Sequence, residues 1–329
     1  MNFFDFKKTN NDKLIVVIYG NCHTTNIRIA LENYQPFCEK YVFFPIKAIQ
    51  EVKDNPDYFE QDCIKQCDVF IHQSIRIGNR YGDAFASENI IKKLKPGCRI
   101  ISIPNVYHLP MCYFPQYYPA QELRKVKSGG GTVFFRDKII DECLEQGYGV
   151  RRIISEYKNT NRFAKEELSD LWNTFIEKVK MREKDWDIRV SDFLINNKNK
   201  VLFFDPNHPT PIFMEYVCKN LLELLDIDAQ GFDKSLLKNM DSYEMPYCAS
   251  VIDFFKLNYD IENKNIRLTG VKMAYGEMNL KAYINQYMSL LWQDESIKKN
   301  IASKSRRVFF RQEIYNFICK IVVKIRGGK

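Results

Sequence analysis

The chain contains no uninterrupted apolar run of roughly 18 residues, so no ordinary membrane-spanning helix is expected. Residues 1–13 are polar and charged, without the apolar stretch and small-residue cleavage site of a secretory leader, which predicts a cytoplasmic protein. Histidine is scarce, at four residues, and the ten cysteines make neither a CxxC pair nor a compact framework. The closest pair, Cys63 and Cys67, is separated by three residues. Reduced thiols rather than disulfides are therefore expected, and with no HxxxH pair either, no metal is expected. There is no internal repeat and no low-complexity tract. No RNP-like aromatic motif or helix-turn-helix signature accompanies the net charge of +8, so nucleic acid is not an expected partner.

What is present belongs to a folded protein. Of the 329 residues, 45% are hydrophobic and 27% charged, and 24 Phe with 19 Tyr exclude a disordered chain. Lys13–Tyr19 is a continuous apolar run ending at Gly20, the pattern of a strand buried on both faces. Asn21–Thr25 supplies turn and helix-capping residues, and Ile27–Leu31 reads as the helix that follows. Further strands are expected at Tyr41–Phe44, Asp68–Ile71, Arg99–Ile103 and Val201–Phe204, with helices at Ala86–Leu94 and Glu166–Lys184 among those between them. Such alternation predicts an α/β fold, a three-layer α/β/α sandwich on a parallel sheet. Residues 1–235 are read as the catalytic domain, with a charged helical insertion at about 137–195, and 236–329 as a C-terminal extension. After Asp226 the pattern becomes irregular, with a linker read at Ser242–Tyr247.

Ligands of parallel sheets bind beyond the carboxyl ends of the strands. Each histidine falls at or after such an end: His23, His72, His108 and His208 follow the first, third, fourth and fifth expected strands. Gly20-Asn21-Cys22-His23 sits at a strand-to-helix turn, where a helix start stabilises a thiolate and backbone N–H groups can face an oxyanion. The bland reading is a buried cysteine beside a turn glycine. Asp205-Pro206-Asn207-His208-Pro209-Thr210 offers a base, with Asp205 three residues ahead to hold its other ring nitrogen, or merely to cap a rigid loop. Asn105, in Pro104-Asn105-Val106-Tyr107-His108, is either an oxyanion donor or a turn residue. His72 and Gln73 are read as lining the pocket.

Together, Gly20-Asn21-Cys22-His23, the Pro104-Asn105 loop and Asn207-His208-Pro209-Thr210 resemble the WcbI-type polysaccharide-biosynthesis acetyltransferase family. Arg136-Asp137 through Gly147, and Asp187-Ile188-Arg189 through Phe193, add to the resemblance, which spans about residues 13–230. It implies an SGNH-like, flavodoxin-like fold, coenzyme A or acetyl-CoA as co-substrate, and a role in capsule modification. It puts Cys22 at the nucleophile position, His208 at the base, and Gly20, Asn21 and Asn105 near the oxyanion-stabilising positions. The chain departs from the pattern at His23, where the family carries Gln, and in having a thiol where the wider SGNH group has serine. For the phosphates of CoA, Arg28, Arg76 and Arg80 are candidates, following strands one and three; Lys125–Gly131 lacks the phosphate-loop spacing and reads as a surface loop.

The expected activity is acyl transfer from acyl-CoA to a sugar hydroxyl, with Cys22 carrying the acyl group or only positioning the donor. A carbohydrate esterase and a non-catalytic CoA- or glycan-binding module are the competing readings. Residues 305–326 interleave Phe310, Ile314, Phe317, Ile318, Ile321 and Ile325 with Arg307, Arg311, Lys320 and Lys324. That pattern suits a basic amphipathic helix on the inner face of an anionic membrane, or a terminal helix packed on the core or a partner subunit.

Overall fold

The computed structural model describes residues 3–55, 57–58, 61–106, 109–119, 135–240, 244–262, 279–292 and 295–326. Along the chain run α1 (Phe3–Thr9), β1 (Leu14–Tyr19), α2 (Cys22–Glu32), α3 (Gln35–Lys40), β2 (Tyr41–Phe43), α4 (Ile49–Val52), α5 (Asp62–Gln66), β3 (Val69–Gln73), α6 (Ser87–Ile91) and β4 (Arg99–Ile103). There follow β5 (Tyr117–Pro119), β6 (Phe135–Asp137), α7 (Lys138–Glu145), α8 (Val150–Tyr157), α9 (Lys165–Arg182), α10 (Ser191–Asn196) and α11 (Pro211–Leu224). The last helices are α12 (Ala249–Phe255), α13 (Leu280–Leu291), α14 (Glu295–Lys304) and α15 (Arg306–Arg326).

The chain divides into two units. One holds Met1–Leu109, Ile176–Asn197 and His208–Met240; the other holds Pro110–Phe175, Lys198–Asn207 and Asp241–Lys329. The end expected for the catalytic domain, residue 235, lies close to the last crossing, whereas the expected insertion at 137–195 is shared between the units.

The first unit is the α/β part. Its four strands are all parallel, in the order β2-β1-β3-β4. β1 is apolar throughout because both of its faces are covered: Ile15 to Tyr19 are buried. Alternate residues Ile15, Val17 and Tyr19 join Phe70, Ile49, Ile64, Phe85 and Ile90 in one core cluster, while α2 packs on β1. Each such buried aliphatic side chain contributes about 1.5–3 kcal/mol. At the edge strand β4, Arg99 and Ile100 are exposed. Further along, Ser102 donates its N–H to Asp187 and accepts the Asp187 N–H, at 2.7 and 2.9 Å, so the segment after α9 covers this stretch of the edge. The chain passes from β1 to β2 on one side and then to β3 on the other. The order therefore reverses between β1 and β3, where an open parallel sheet offers a crevice to a ligand.

The second unit is mainly helical around an aromatic core that includes Tyr113, Phe114, Tyr117, Tyr157, Tyr247 and Tyr283. The Tyr117 hydroxyl lies 3.2 Å from that of Tyr157 and 3.1 Å from that of Tyr283, so these phenols satisfy one another. β5 and β6 form a small antiparallel pair.

Two expectations are corrected. Val201–Phe204 is not a fifth strand: Met245 N–H donates to the Phe204 carbonyl at 2.8 Å and the Tyr247 hydroxyl to that of Phe203. Its apolar run reflects burial of Leu202 and Phe203, which an extended segment with no more than a single bridge, at Phe203, achieves without a ladder. Beyond Ala249 the described chain is largely helical rather than irregular. Three expectations lie outside the described residues: His108, the Lys125–Gly131 loop, and the first two residues of the linker read at Ser242–Tyr247.

Candidate active site

The turn from β1 into α2 is built around Gln73, the last residue of β3 and almost wholly buried. Its Oε1 accepts the Asn21 N–H at 2.9 Å, and its Nε2 donates to the Pro104 carbonyl at 3.2 Å. One side chain thus ties together the carboxyl ends of three neighbouring strands. Gly20 is required by this approach: a Cβ there would stand 2.5 Å from Gln73 Oε1 and 2.6 Å from Thr24 Cγ2. Asn21 caps α2, its Oδ1 accepting the His23 N–H at 2.9 Å. Its own N–H is committed to Gln73, while its Nδ2 makes no hydrogen bond among the described residues. Cys22 is the first helical residue, so its N–H has no intrahelical acceptor. Cys22 Sγ is half-buried and lies 3.9 Å from Nε2 of His208, within hydrogen-bond reach for sulfur. The ring of His23, itself buried, stands edge-on to that of His208 at 6.0 Å.

His208 is held just ahead of α11, whose cap is Thr210 and whose first residue is Pro211, a start that fixes the backbone on entry. Asp205, buried, accepts the Asn207 N–H on Oδ1 at 2.6 Å and so closes the turn upstream.

His72 lies inside β3, which runs two residues beyond the expected end at Ile71, rather than after it. Burial drives its pKa down, against the pull of Asp187 and the Gln73 backbone, so the imidazole is neutral near pH 7. Its Nδ1 makes no hydrogen bond among the described residues. Asn105 is half-buried and gives its carbonyl to Arg182 Nη1 at 3.3 Å. Arg76 is exposed and 3.5 Å from Asp185. Arg28 points along its own helix to Glu32 at 3.8 Å, and Arg80 lies over the Tyr81 ring. His108 is outside the described residues.

Gly20, Asn21, Cys22, His23, Gln73 and His208 are therefore linked by direct contacts, and Asn105 by way of Pro104. Arg28 and Arg80 are spent on local partners. Sequence reasoning missed Arg182, the last residue of α9. Its guanidinium is half-buried, and its pKa is lowered first by burial and then by the nearby charge of Arg76. A cation held at such a cost, beside the carboxyl end of β4, is a stronger anion ligand than an exposed one. The only signal in the sequence was a charged helix of ordinary composition. Among the described residues no group of three or more His, Cys, Asp or Glu side chains is placed to hold a metal ion.

A family model, that of the polysaccharide biosynthesis enzyme WcbI, matches residues 15–230. The chain is similar to a solved structure of WcbI, a polysaccharide biosynthesis enzyme, in its native form without a disulfide bond between CoA and one of its cysteines. The TM-score is 0.66 at 17% identity, covering 95% of this chain and 98% of that one, a likeness that shows the fold. Comparison with curated proteins gives no match.

Proposed function

We propose that this chain, which belongs to the family of the polysaccharide biosynthesis enzyme WcbI, is a CoA-dependent acyltransferase that acetylates a sugar hydroxyl in capsular or surface polysaccharide assembly. The observation that carries this reading is the 3.9 Å approach of Cys22 Sγ to His208 Nε2 at the start of a helix. The similar WcbI structure, a native form without a disulfide bond between CoA and one of its cysteines, supports CoA as the ligand to test at Cys22.

In the covalent route His208 Nε2 takes the Cys22 thiol proton, and the thiolate attacks the acyl carbonyl of acyl-CoA. The Cys22 N–H and Asn21 Nδ2 face the oxyanion. The C–S bond to CoA breaks, CoA leaves with the proton held by His208, and Cys22 carries the acyl group as a thioester. A sugar hydroxyl then gives its proton to His208 and attacks the thioester, and Cys22 leaves as thiolate and is reprotonated by His208. In the direct route His208 takes the sugar proton at once, and Cys22 only positions the donor. Arg182 and Arg76 supply positive charge for the CoA phosphates. The neutral His72 offers Nδ1 to a polar group of either substrate.

The test is calorimetry with CoA and acetyl-CoA, paired with intact-mass measurement after acetyl-CoA incubation of wild type and Cys22→Ala. Binding with a Cys22-dependent acetyl adduct supports covalent transfer. Binding and acceptor acetylation without an adduct supports the direct route. Absence of binding to either thioester or free CoA overturns the proposal.

A further inference from the structure

The helical unit carries a cavity of about 630 Å³ to which the chemistry above gives no role. It is lined by the first turn of α8 and by faces of α13 and α15. Five cationic side chains reach it, Arg151, Arg152, Lys281, Arg307 and Arg311, and no carboxylate does. Arg152 is paired with Glu156 at 2.7 Å. The other four have no carboxylate partner among the described residues. Met288, Ile154 and Val308 give the cavity an apolar floor. Its size exceeds what a bare ion fills and matches small-molecule pockets of about 300–1,000 Å³.

The cavity opens beside an unusual surface. Arg307, Arg311, Ile314 and Ile318 fall at i, i+4, i+7 and i+11 of α15, a single stripe of the helix. Phe310 and Phe317 lie next to it, and Phe310, Ile314, Phe317 and Ile318 are 62%, 59%, 65% and 52% exposed. The opposite side of α15 is the packed one: Gln312 is buried and donates to the Asn285 carbonyl, Ser289 Oγ and Asn316 Oδ1. The terminal helix thus packs one face on the protein and turns the other to solvent.

We infer that this stripe and cavity are a docking surface for an anionic phospholipid bilayer. A headgroup phosphate seats among Arg151, Lys281, Arg307 and Arg311, and the four exposed apolar side chains enter the boundary between headgroups and acyl chains. Charge complementarity selects the sign of the lipid, and the continuity of cationic pocket and apolar stripe selects a lipid over a free phosphate. A soluble phosphate would leave the four large side chains in water. A second copy offers the same stripe of cations and apolar side chains with no carboxylate, so it brings nothing of opposite charge to the cavity.

The measurement is flotation of the full chain with mixed phosphatidylglycerol–phosphatidylcholine vesicles and with pure phosphatidylcholine vesicles, at low and high salt and without acyl donor. Wild type floats with the mixed vesicles and is released by salt. Arg307→Gln/Arg311→Gln binds roughly twenty- to thirtyfold more weakly, at about fivefold per cation near an anionic surface. Phe310→Ser/Phe317→Ser, with unchanged circular dichroism, loses flotation while keeping acyl-CoA binding. Flotation on both vesicle types alike, or variants that float like wild type, overturns the inference. So does calorimetric binding of glycerol phosphate without flotation, which makes the cavity a soluble-ligand site. A dimer in sedimentation that the serine variant dissociates, again without flotation, overturns it in favour of self-association. Because flotation needs no turnover, failure here leaves the proposal at Cys22 standing, and failure there leaves this one.

Discussion

Cys22 Sγ and His208 Nε2 stand 3.9 Å apart although 186 positions separate them in the chain. The thiol enters from the first turn of α2, and the imidazole from the loop that Thr210 and Pro211 convert into α11. Both belong to the α/β unit, so their approach is set by the packing of α11 beside α2 within it.

If His208 is the base, its removal acts on chemistry and leaves donor binding alone. His208→Gln is expected to lower the rate of CoA release from acetyl-CoA by about 10²–10⁴-fold. Its Kd for CoA in calorimetry is expected to stay within a few-fold of wild type. A variant that releases CoA at the wild-type rate rules out the assigned role.

Arg182 is expected to matter for affinity rather than for reactivity. Arg182→Gln removes a half-buried charge next to Arg76 and one N–H donor to the Asn105 carbonyl. A charge-assisted hydrogen bond is worth about 1.5–3 kcal/mol, so CoA binding should weaken about tenfold or more. Alkylation of Cys22 by iodoacetamide should be unaffected in the same variant. Unchanged CoA affinity would remove Arg182 from the site.

Gly20→Ala places a Cβ against Gln73 Oε1 and Thr24 Cγ2. Gln73 is buried and held at both ends, so it has little room to yield. Destabilisation of about 1–3 kcal/mol is expected in urea unfolding. In a double-mutant cycle, Gly20→Ala with Gln73→Ala should cost less than the sum of the single changes, because the clash and the lost contacts share one atom. Strict additivity would show that Gln73 is not what demands a glycine here.

Asp137 is expected to make the stability of the protein depend on pH. It caps α7 through Oδ1, which accepts the Ile139 and Ile140 N–H groups at 2.9 and 3.2 Å, and it accepts the Tyr157 hydroxyl on Oδ2. Burial nevertheless raises its pKa from the ordinary 3.8 to about 7. The folded protein therefore binds a proton that the unfolded chain has released, and stability falls as pH rises from about 4 to about 7. The full effect is on the order of 4 kcal/mol. Asp137→Asn, of nearly the same shape, should remove this slope. Melting temperatures of variant and wild type should diverge in the variant's favour between about pH 4 and about pH 7, and parallel curves across that range would refute the assignment.

The sequence by itself determined what short stretches of chain can encode. The apolar run of β1, its glycine stop and the polar helix start were legible because strand, turn and cap are decided by neighbours a few residues apart. β4 matched its expected bounds for the same reason, and the family was legible because its motifs are themselves short and ordered. The same local logic misread Val201–Phe204, since a buried extended segment and a strand share one apolar pattern and only the partner of its backbone tells them apart. Where hydrogen bonds and charges close over long separations, the tertiary structure decided. Gln73 became the brace of the turn because β3 pairs beside β1 and its side chain meets an N–H contributed by Asn21. Arg182 became a candidate because the end of α9 comes to rest on Asn105 and near Arg76. The stripe of α15 was visible as a pattern, but which of its faces is buried depends on what α13 and α14 present to it, and no periodicity within one helix carries that information.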